Sequence, residues 1–265
     1  RYLPYLTQEG LGLPDRDYYL ADDADLAAVR EAYRAHLATL LRLAGDPDGA
    51  AEADAQAVFD LETALARAQW SRVDNRDALK TYHPFDTAGL AALAPGFDTA
   101  AFLAATGLAG RSAVVVVRQP DYLAAFGALL ASTPRPTWRA YLRTRLLAAY
   151  APLLSRAFVE ARFAFAGTVL RGTPENLPRW KRGVALVEEA LGEALGRRYV
   201  ERHFPPAHKA RMEELVAHLM AAYRERLATL DWMGEATRRA AEAKLAAMNL
   251  KIGHPSRWID YSGLQ

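Results

Sequence analysis

The sequence predicts a mainly α-helical, multi-helix domain with a minor β element. Three observations predict it. Apolar residues recur at three- and four-residue steps through most of the 265 positions. Only one run, Ala113 to Arg118, is dense in β-branched residues. Asp, Pro and Gly stand at the ends of the periodic stretches, where helix caps and breakers belong.

The opening, Arg1 to Leu20, has no helical period. Gly10, Gly12 and Pro14 mark it as a shaped loop. Asp22 or Asp23 then caps a helix whose stripe is Leu26, Val29, Tyr33, Leu37, Leu40 and Ala44, and Gly45-Asp46-Pro47 stops it. A second helix is expected from about Gly49 to Trp70, with Ala55, Val58, Leu61 (or Glu62), Leu65 and Ala68 on its buried face. Asp74 to Asp77 forms a polar elbow, and Tyr82-His83-Pro84 ends the segment. Two short helices follow, led by Asp86-Thr87 and Asp98-Thr99 and broken near Gly96 and Gly107. Arg111 to Arg118 reads as the principal strand, with a partner the sequence does not identify.

From Pro136 the pattern is helical almost to the end. Thr137 is expected to cap a long helix through about Ala166, kinked or divided at Pro152. Gly172-Thr173-Pro174 is a loop, and Pro178 opens a helix to about Phe204. Pro205-Pro206 breaks it. Further helices span about Ala207 to Leu230 and Glu235 to Gly253. No repeat of 34 or 40–47 residues recurs, so a helical solenoid is disfavoured. No low-complexity linker divides the chain, which reads as one mostly helical domain over 1–265.

Bulk properties exclude several functions. Net charge is +2 with acids and bases interspersed, which leaves no electrostatic footprint for nucleic acid. Cysteine is absent, so disulfides, thiolate catalysis and cysteine-bound zinc are excluded. No apolar run approaches the roughly 20 residues that cross a bilayer as a helix. Arg1 is followed by no signal-type segment; if the protein is exported, its signal is expected outside this sequence.

The search for chemistry is mostly negative. A helical zinc site needs two histidines at i and i+4 with a nearby glutamate. The six histidines, His36, His83, His203, His208, His218 and His254, include no such pair, and Pro205-Pro206 separates His203 from His208. His36 and His218 read as packed or capping residues. The stretch Gly10-Leu11-Gly12-Leu13-Pro14 resembles a dinucleotide loop only superficially, because it follows no strand and precedes no helix. Asp15-Arg16-Asp17-Tyr18-Tyr19 is the densest polar and aromatic cluster. One reading has Arg16 meeting a substrate carboxylate or a partner domain. The other has a loop pinned by Asp–Arg pairs over half-buried tyrosines. Arg179-Trp180-Lys181-Arg182 divides the same way, with Trp180 as a helix–helix anchor and the bases facing acids or solvent.

Four blocks carry a resemblance. They are GLGLPDRDYYL (10–20), ETALARAQWSRVDNRDALKTYHP (62–84), GTPENLPRWKRGVALVEEALGEALGRRYVERHFP (172–205) and DWMGEATRRAAEAKLAAMNLKIGHPSRWIDYSGL (231–264). In this order the chain resembles the N-terminal, non-catalytic part of the neprilysin-like zinc metallopeptidases, family M13. The resemblance implies two largely helical lobes around a closed cavity, one holding zinc and one serving as a lid that admits peptides rather than folded proteins. It implies that this chain is most of the lid lobe, with family sequence before and after it. The NAxY, HExxH and ExxxD motifs of the family are not in these residues. The implied cofactor is therefore zinc in the parent, with none in this chain and no catalytic residue carried over. The implied partners are the parent's catalytic lobe and peptide substrates. The aperiodic, aromatic ends, 1–20 and 255–265, are expected to be hinge segments, loosely fastened when alone. Asp15, Arg16, Asp17, Tyr18, Tyr19, Arg179 and Trp180 are the candidate cavity or interdomain residues. The family also implies an exported, periplasmic or secreted setting, with a cytoplasmic one left open. A free-standing helical module that binds peptide or protein is the alternative.

Overall fold

The computed structural model describes residues 3–264. They comprise eleven α-helices and three short strands, so the mainly α class with a minor β element holds. The chain packs as two compact units, one through Asn176 and one from Leu177 onward.

In the first unit, strand β1 (Tyr5–Leu6) leads through the opening loop into the one-turn helix α1 (Asp17–Leu20). Helix α2 (Ala24–Leu43) starts where Asp23 accepts the Leu26 N–H at 2.8 Å. Helix α3 (Asp48–Ala68) lies against it. Tyr33, Leu37, Leu40 and Leu41 of α2, with Ala51, Val58, Leu61 and Leu65 of α3, are almost fully buried. Each such aliphatic side chain contributes about 1.5–3 kcal/mol on leaving water. A 3₁₀ turn over Asp74–Arg76 forms the elbow.

Strand β2 (His83–Phe85) precedes α4 (Thr87–Leu93) and α5 (Thr99–Ala105). Asp86 and Asp98 cap these two helices, accepting from Gly89 N at 2.7 Å and Ala101 N at 2.9 Å. The valine run is the centre of the sheet. Strand β3 (Val115–Val117) pairs parallel with β1 and antiparallel with β2, registering Tyr5 with Val116 and Phe85 with Val115. The strand is shorter than 111–118, because only its three buried valines find strand partners: Val116 and Val117 on both sides, Val115 on β2 alone.

Residues 119–134 offered no element in the sequence, yet they form α6 (Pro120–Ser132). Its composition is apolar nearly all round, so no polar face draws a stripe. Helix α7 (Arg135–Tyr150) begins at Pro134, not at Thr137, whose N–H bonds the Pro134 carbonyl at 3.0 Å. Pro134 and Pro136 fix the first turn, where missing N–H groups cost little. Pro152 divides the expected long helix: a 3₁₀ turn over Ala151–Leu153 precedes α8 (Arg156–Arg162). A π-helix over Phe163–Val169 completes the unit and buries Phe165 against Tyr33 and His36.

The second unit holds α9 (Arg179–His203), α10 (Pro206–Thr229) and α11 (Glu235–Ala246). Helix α9 bends at Leu191, whose φ/ψ is −135°/36°. Helix α11 stops at Ala246, short of Gly253. The apolar residues that would extend it, Met248 and Leu250, are exposed, so no burial supports another turn. The C-terminal tail folds back on its own unit. Ile259 N–H donates to Glu193 Oε2 at 2.6 Å, and Trp258 stacks on His254 at 5.5 Å between ring centres. Leu245 is the one buried residue among those described in this unit.

Candidate functional site

The opening loop is the most heavily fastened irregular segment of the first unit. Gln8 closes a two-way clasp with Trp70: its Nε2 donates to the Trp70 carbonyl at 3.0 Å, and its Oε1 accepts the Trp70 N–H at 2.7 Å. The Tyr122 hydroxyl of α6 donates to the Glu9 carbonyl, and the Tyr141 hydroxyl of α7 donates to the Gly10 carbonyl at 2.8 Å. Arg145 of α7 reaches the Leu11 carbonyl at 2.8 Å. Gln69 Nε2 donates to the Glu9 carbonyl at 3.2 Å. Helices α6 and α7, with Gln69 at the end of α3, thus satisfy the carbonyls of a stretch that has no regular structure of its own.

Beneath the loop lies a buried carboxylate. Glu62 of α3 has no exposed surface. Its Oε2 accepts from the Tyr19 hydroxyl at 2.7 Å and from the Tyr33 hydroxyl at 2.8 Å. The Tyr19 oxygen in turn accepts the N–H groups of Gly12 at 3.1 Å and Leu13 at 2.9 Å. Burial pushes the Glu62 carboxyl up, and the two tyrosine hydroxyls and Arg145 moderate the rise. Burial and the neighbouring Glu62 push both tyrosine hydroxyls well above their ordinary range.

This arrangement explains the loop's glycines. A Cβ on Gly12 would lie 1.7 Å from the Tyr33 hydroxyl oxygen. Gly10 has φ of +104° and would set a Cβ 3.0 Å from the Tyr141 hydroxyl. The glycines make room for tyrosines rather than for a pyrophosphate, in line with the weak dinucleotide signal.

The structure gathers Asp15 to Tyr19 at the end of this loop. Asp15 pairs with Arg72 at 2.8 Å and accepts the Asp17 N–H at 2.8 Å. Arg16 donates to the Gln69 carbonyl. Asp17 is exposed, and Tyr18 is half-buried with its carbonyl held by Arg30 at 3.0 Å. Tyr19 is buried. Arg179 and Trp180 belong to the other unit, at the start of α9. Both are exposed, and Trp180 is 67 % accessible under the Lys181 ammonium at 5.5 Å. Trp180 therefore anchors no helix–helix contact among the described residues. Glu62, Tyr33, Tyr141 and Arg145 were not singled out from the sequence as a cluster. The signal that could have found them was the charged Glu62 inside an apolar stripe.

Beside the loop, an apolar cavity of about 290 Å³ is lined by Leu6, Phe97, Phe102, Val117, Tyr122 and Phe126. His36 is buried flat against Phe165, and burial with the nearby Arg162 lowers its pKa to about 4. No group of His, Asp and Glu among the described residues is arranged to hold a metal ion.

A profile described as Peptidase family M13 matches residues 1–255. Endothelin-converting enzyme 1 of Rattus norvegicus is 34% identical over 260 residues, covering 96% of this chain and 34% of that enzyme. The Homo sapiens enzyme is 33% identical over the same length and shares. The zinc metalloprotease Zmp1 of Mycobacterium tuberculosis, in complex with an inhibitor, is 42% identical, with a TM-score of 0.86 over 98% of this chain and 39% of that one. PepO from Lactobacillus rhamnosis is 26% identical, with a TM-score of 0.81 over 96% of this chain and 40% of that one. The chain spans about a third of the length of the curated relatives it matches. The chain belongs to peptidase family M13 and corresponds to the family's N-terminal region.

Proposed function

We propose that this chain is the lid-side part of an M13-type zinc metallo-endopeptidase. It supplies cavity wall and size selection to a parent that hydrolyses peptide bonds. The observation that carries the reading is the match of 255 residues to the family in a chain whose described side chains offer no ligand set for zinc. The zinc of the family does not fit these residues, so no chemical step is assigned to them. In the parent, zinc would polarise the scissile carbonyl and activate water. This chain's contribution is shape.

The apolar residues left open on the second unit support a partner. Met212, Leu215, Leu219 and Tyr223 recur along α10 at helical spacing, each 43–56 % accessible. Trp180, Val184, Val187 and Tyr199 of α9 are 44–67 % accessible. Apolar surface of this extent on one unit marks an interaction face. The occupant proposed is the zinc-bearing lobe of the same parent. The ends, 1–20 and 255–265, are the proposed joints, of which residues 1, 2 and 265 lie outside the described residues. Within these ends, side chains of their own units hydrogen-bond the backbone at Glu9 to Leu13 and at His254 and Ile259. Asp17, Tyr18, Arg179 and Trp180 are the cavity or interlobe candidates that keep exposed surface. Asp15, Arg16 and Tyr19 act by shaping the loop.

The test is an assay on fluorogenic peptides with added zinc. The chain alone is expected to give no chelator-sensitive turnover. Mixed with the segment that carries the family's HExxH, it is expected to give turnover that chelator abolishes. Chelator-sensitive turnover by the lone chain would contradict the proposal.

A further inference from the structure

We propose that Glu62 is a proton-controlled clasp: neutral, it locks the 10–19 loop onto α2, α3 and α7, and on ionising it loosens that loop. The inference rests on the first unit's own geometry and is independent of the peptidase reading.

Glu62 is fully buried, and its second oxygen, Oε1, has no hydrogen-bond partner among the described residues. An ionised carboxylate with one oxygen unpaired in an apolar interior is more costly than the neutral acid. The groups facing it come from every surrounding element: Tyr19 of α1, Tyr33 of α2, Tyr141 and Arg145 of α7, and the Gly12 N–H of the loop. Arg145 is the only cation among them. It is exposed and engaged with the Leu11 carbonyl, so water screens its charge. The hydroxyls of Tyr19 and Tyr33 stay protonated in the physiological range and act only as donors to Oε2.

The link from this carboxyl to the loop is direct. Tyr19 bridges Glu62 to the Gly12 and Leu13 N–H groups, while Tyr33 fills the space that a Gly12 side chain would need. Any movement of Glu62 toward water pulls on both tyrosines. The folded carboxyl titrates above its free value, so the clasp is at full strength at pH values below the free titration. It weakens as pH rises through the folded one. This direction is opposite to the effect of His36, whose lowered pKa weakens the whole unit as pH falls. The two effects are therefore separable.

The experiment is amide hydrogen exchange by NMR on the full chain from pH 5 to 8, corrected for intrinsic exchange, with α2 amides as the internal reference. Protection of the Gly12 and Leu13 amides is expected to fall with rising pH, by up to about tenfold per unit, while α2 protection does not. Glu62→Gln keeps an acceptor for both tyrosines and removes the charge, so its loop protection is expected to be flat with pH. Loop protection in the native chain as flat as that of E62Q would overturn the proposal. Should E62Q fail to fold, the carboxyl carbon of Glu62 is titrated in the native chain. A midpoint above the ordinary glutamate range that coincides with the loss of loop protection supports the clasp. A midpoint within the ordinary range contradicts it.

Discussion

Residues 3–176 and 177–264 are both built mainly from helices, yet they bury them very differently. In the first unit, α2 and α3 present their stripes to each other, and Leu40, Leu41, Leu65 and Val58 lie at 0–1 % exposure. In the second, Leu215 and Leu219 occupy equivalent places on the stripe of α10 and are 56 % and 50 % exposed. Periodicity in a sequence records that a face expects a neighbour. It does not record whether that neighbour lies within the same stretch of chain. The first unit brings its own, whereas the second leaves its stripes open among the described residues. Stability in the isolated chain is therefore expected to reside in the first unit, and sensitivity to a partner in the second.

Core truncation should break the comparison most visibly. Leu40→Ala is expected to destabilise the first unit by about 2–5 kcal/mol, read as a lowered denaturation midpoint. Leu219→Ala, half-exposed on α10, should change that midpoint by no more than about 0.5 kcal/mol. Equal losses would mean that α10 is packed in solution.

Acid comes next. His36 is buried neutral, with a folded pKa of about 4 against an ordinary 6.5. A lowered histidine pKa contributes stability above the unfolded value, and that stability is lost as pH falls from about 6.5 toward 4. The loss is at most about 3 kcal/mol. His36→Phe, which preserves the stacking on Phe165, should flatten the pH dependence of thermal denaturation across this window. An unchanged slope would remove His36 from the account.

The smallest effect concerns the caps. Asp98→Ala removes the acceptor for the Ala101 N–H and should cost about 1 kcal/mol. On α11, whose cap is Gly234 with no side-chain bond, Gly234→Asp should instead raise helix content slightly by circular dichroism.

The helices were legible wherever caps and stripes agreed. Asp23, Asp86 and Asp98 cap as the sequence implies, because a short side-chain oxygen before a periodic run has few other uses. Helix α6 was not legible, because its apolar residues surround the axis. The partners of the valine strand were not legible either. Two- and three-residue strands carry no period, and only the folded chain brings Tyr5 and Phe85 to Val116 and Val115. The loop at 10–19 was visible as a cluster, but its function as a structural fitting was only half visible. Leu61 and Glu62 competed for the buried face of α3, and both are buried because α3 is covered on more than one side. A charged residue in such a place is explained by distant tyrosines that no local window contains.

On the proposed reading, α9 to α11 carry a face for the zinc-bearing lobe of a common parent. Amide exchange across residues 179–246 tests it most directly, measured on the chain alone and after adding the segment that bears the family's HExxH motif. The account predicts that these helices exchange faster than α2 and α3 in the lone chain and slow markedly on mixing, while α2 and α3 barely change. Helices α9 to α11 already as protected as α2 and α3, and indifferent to the added segment, would contradict it.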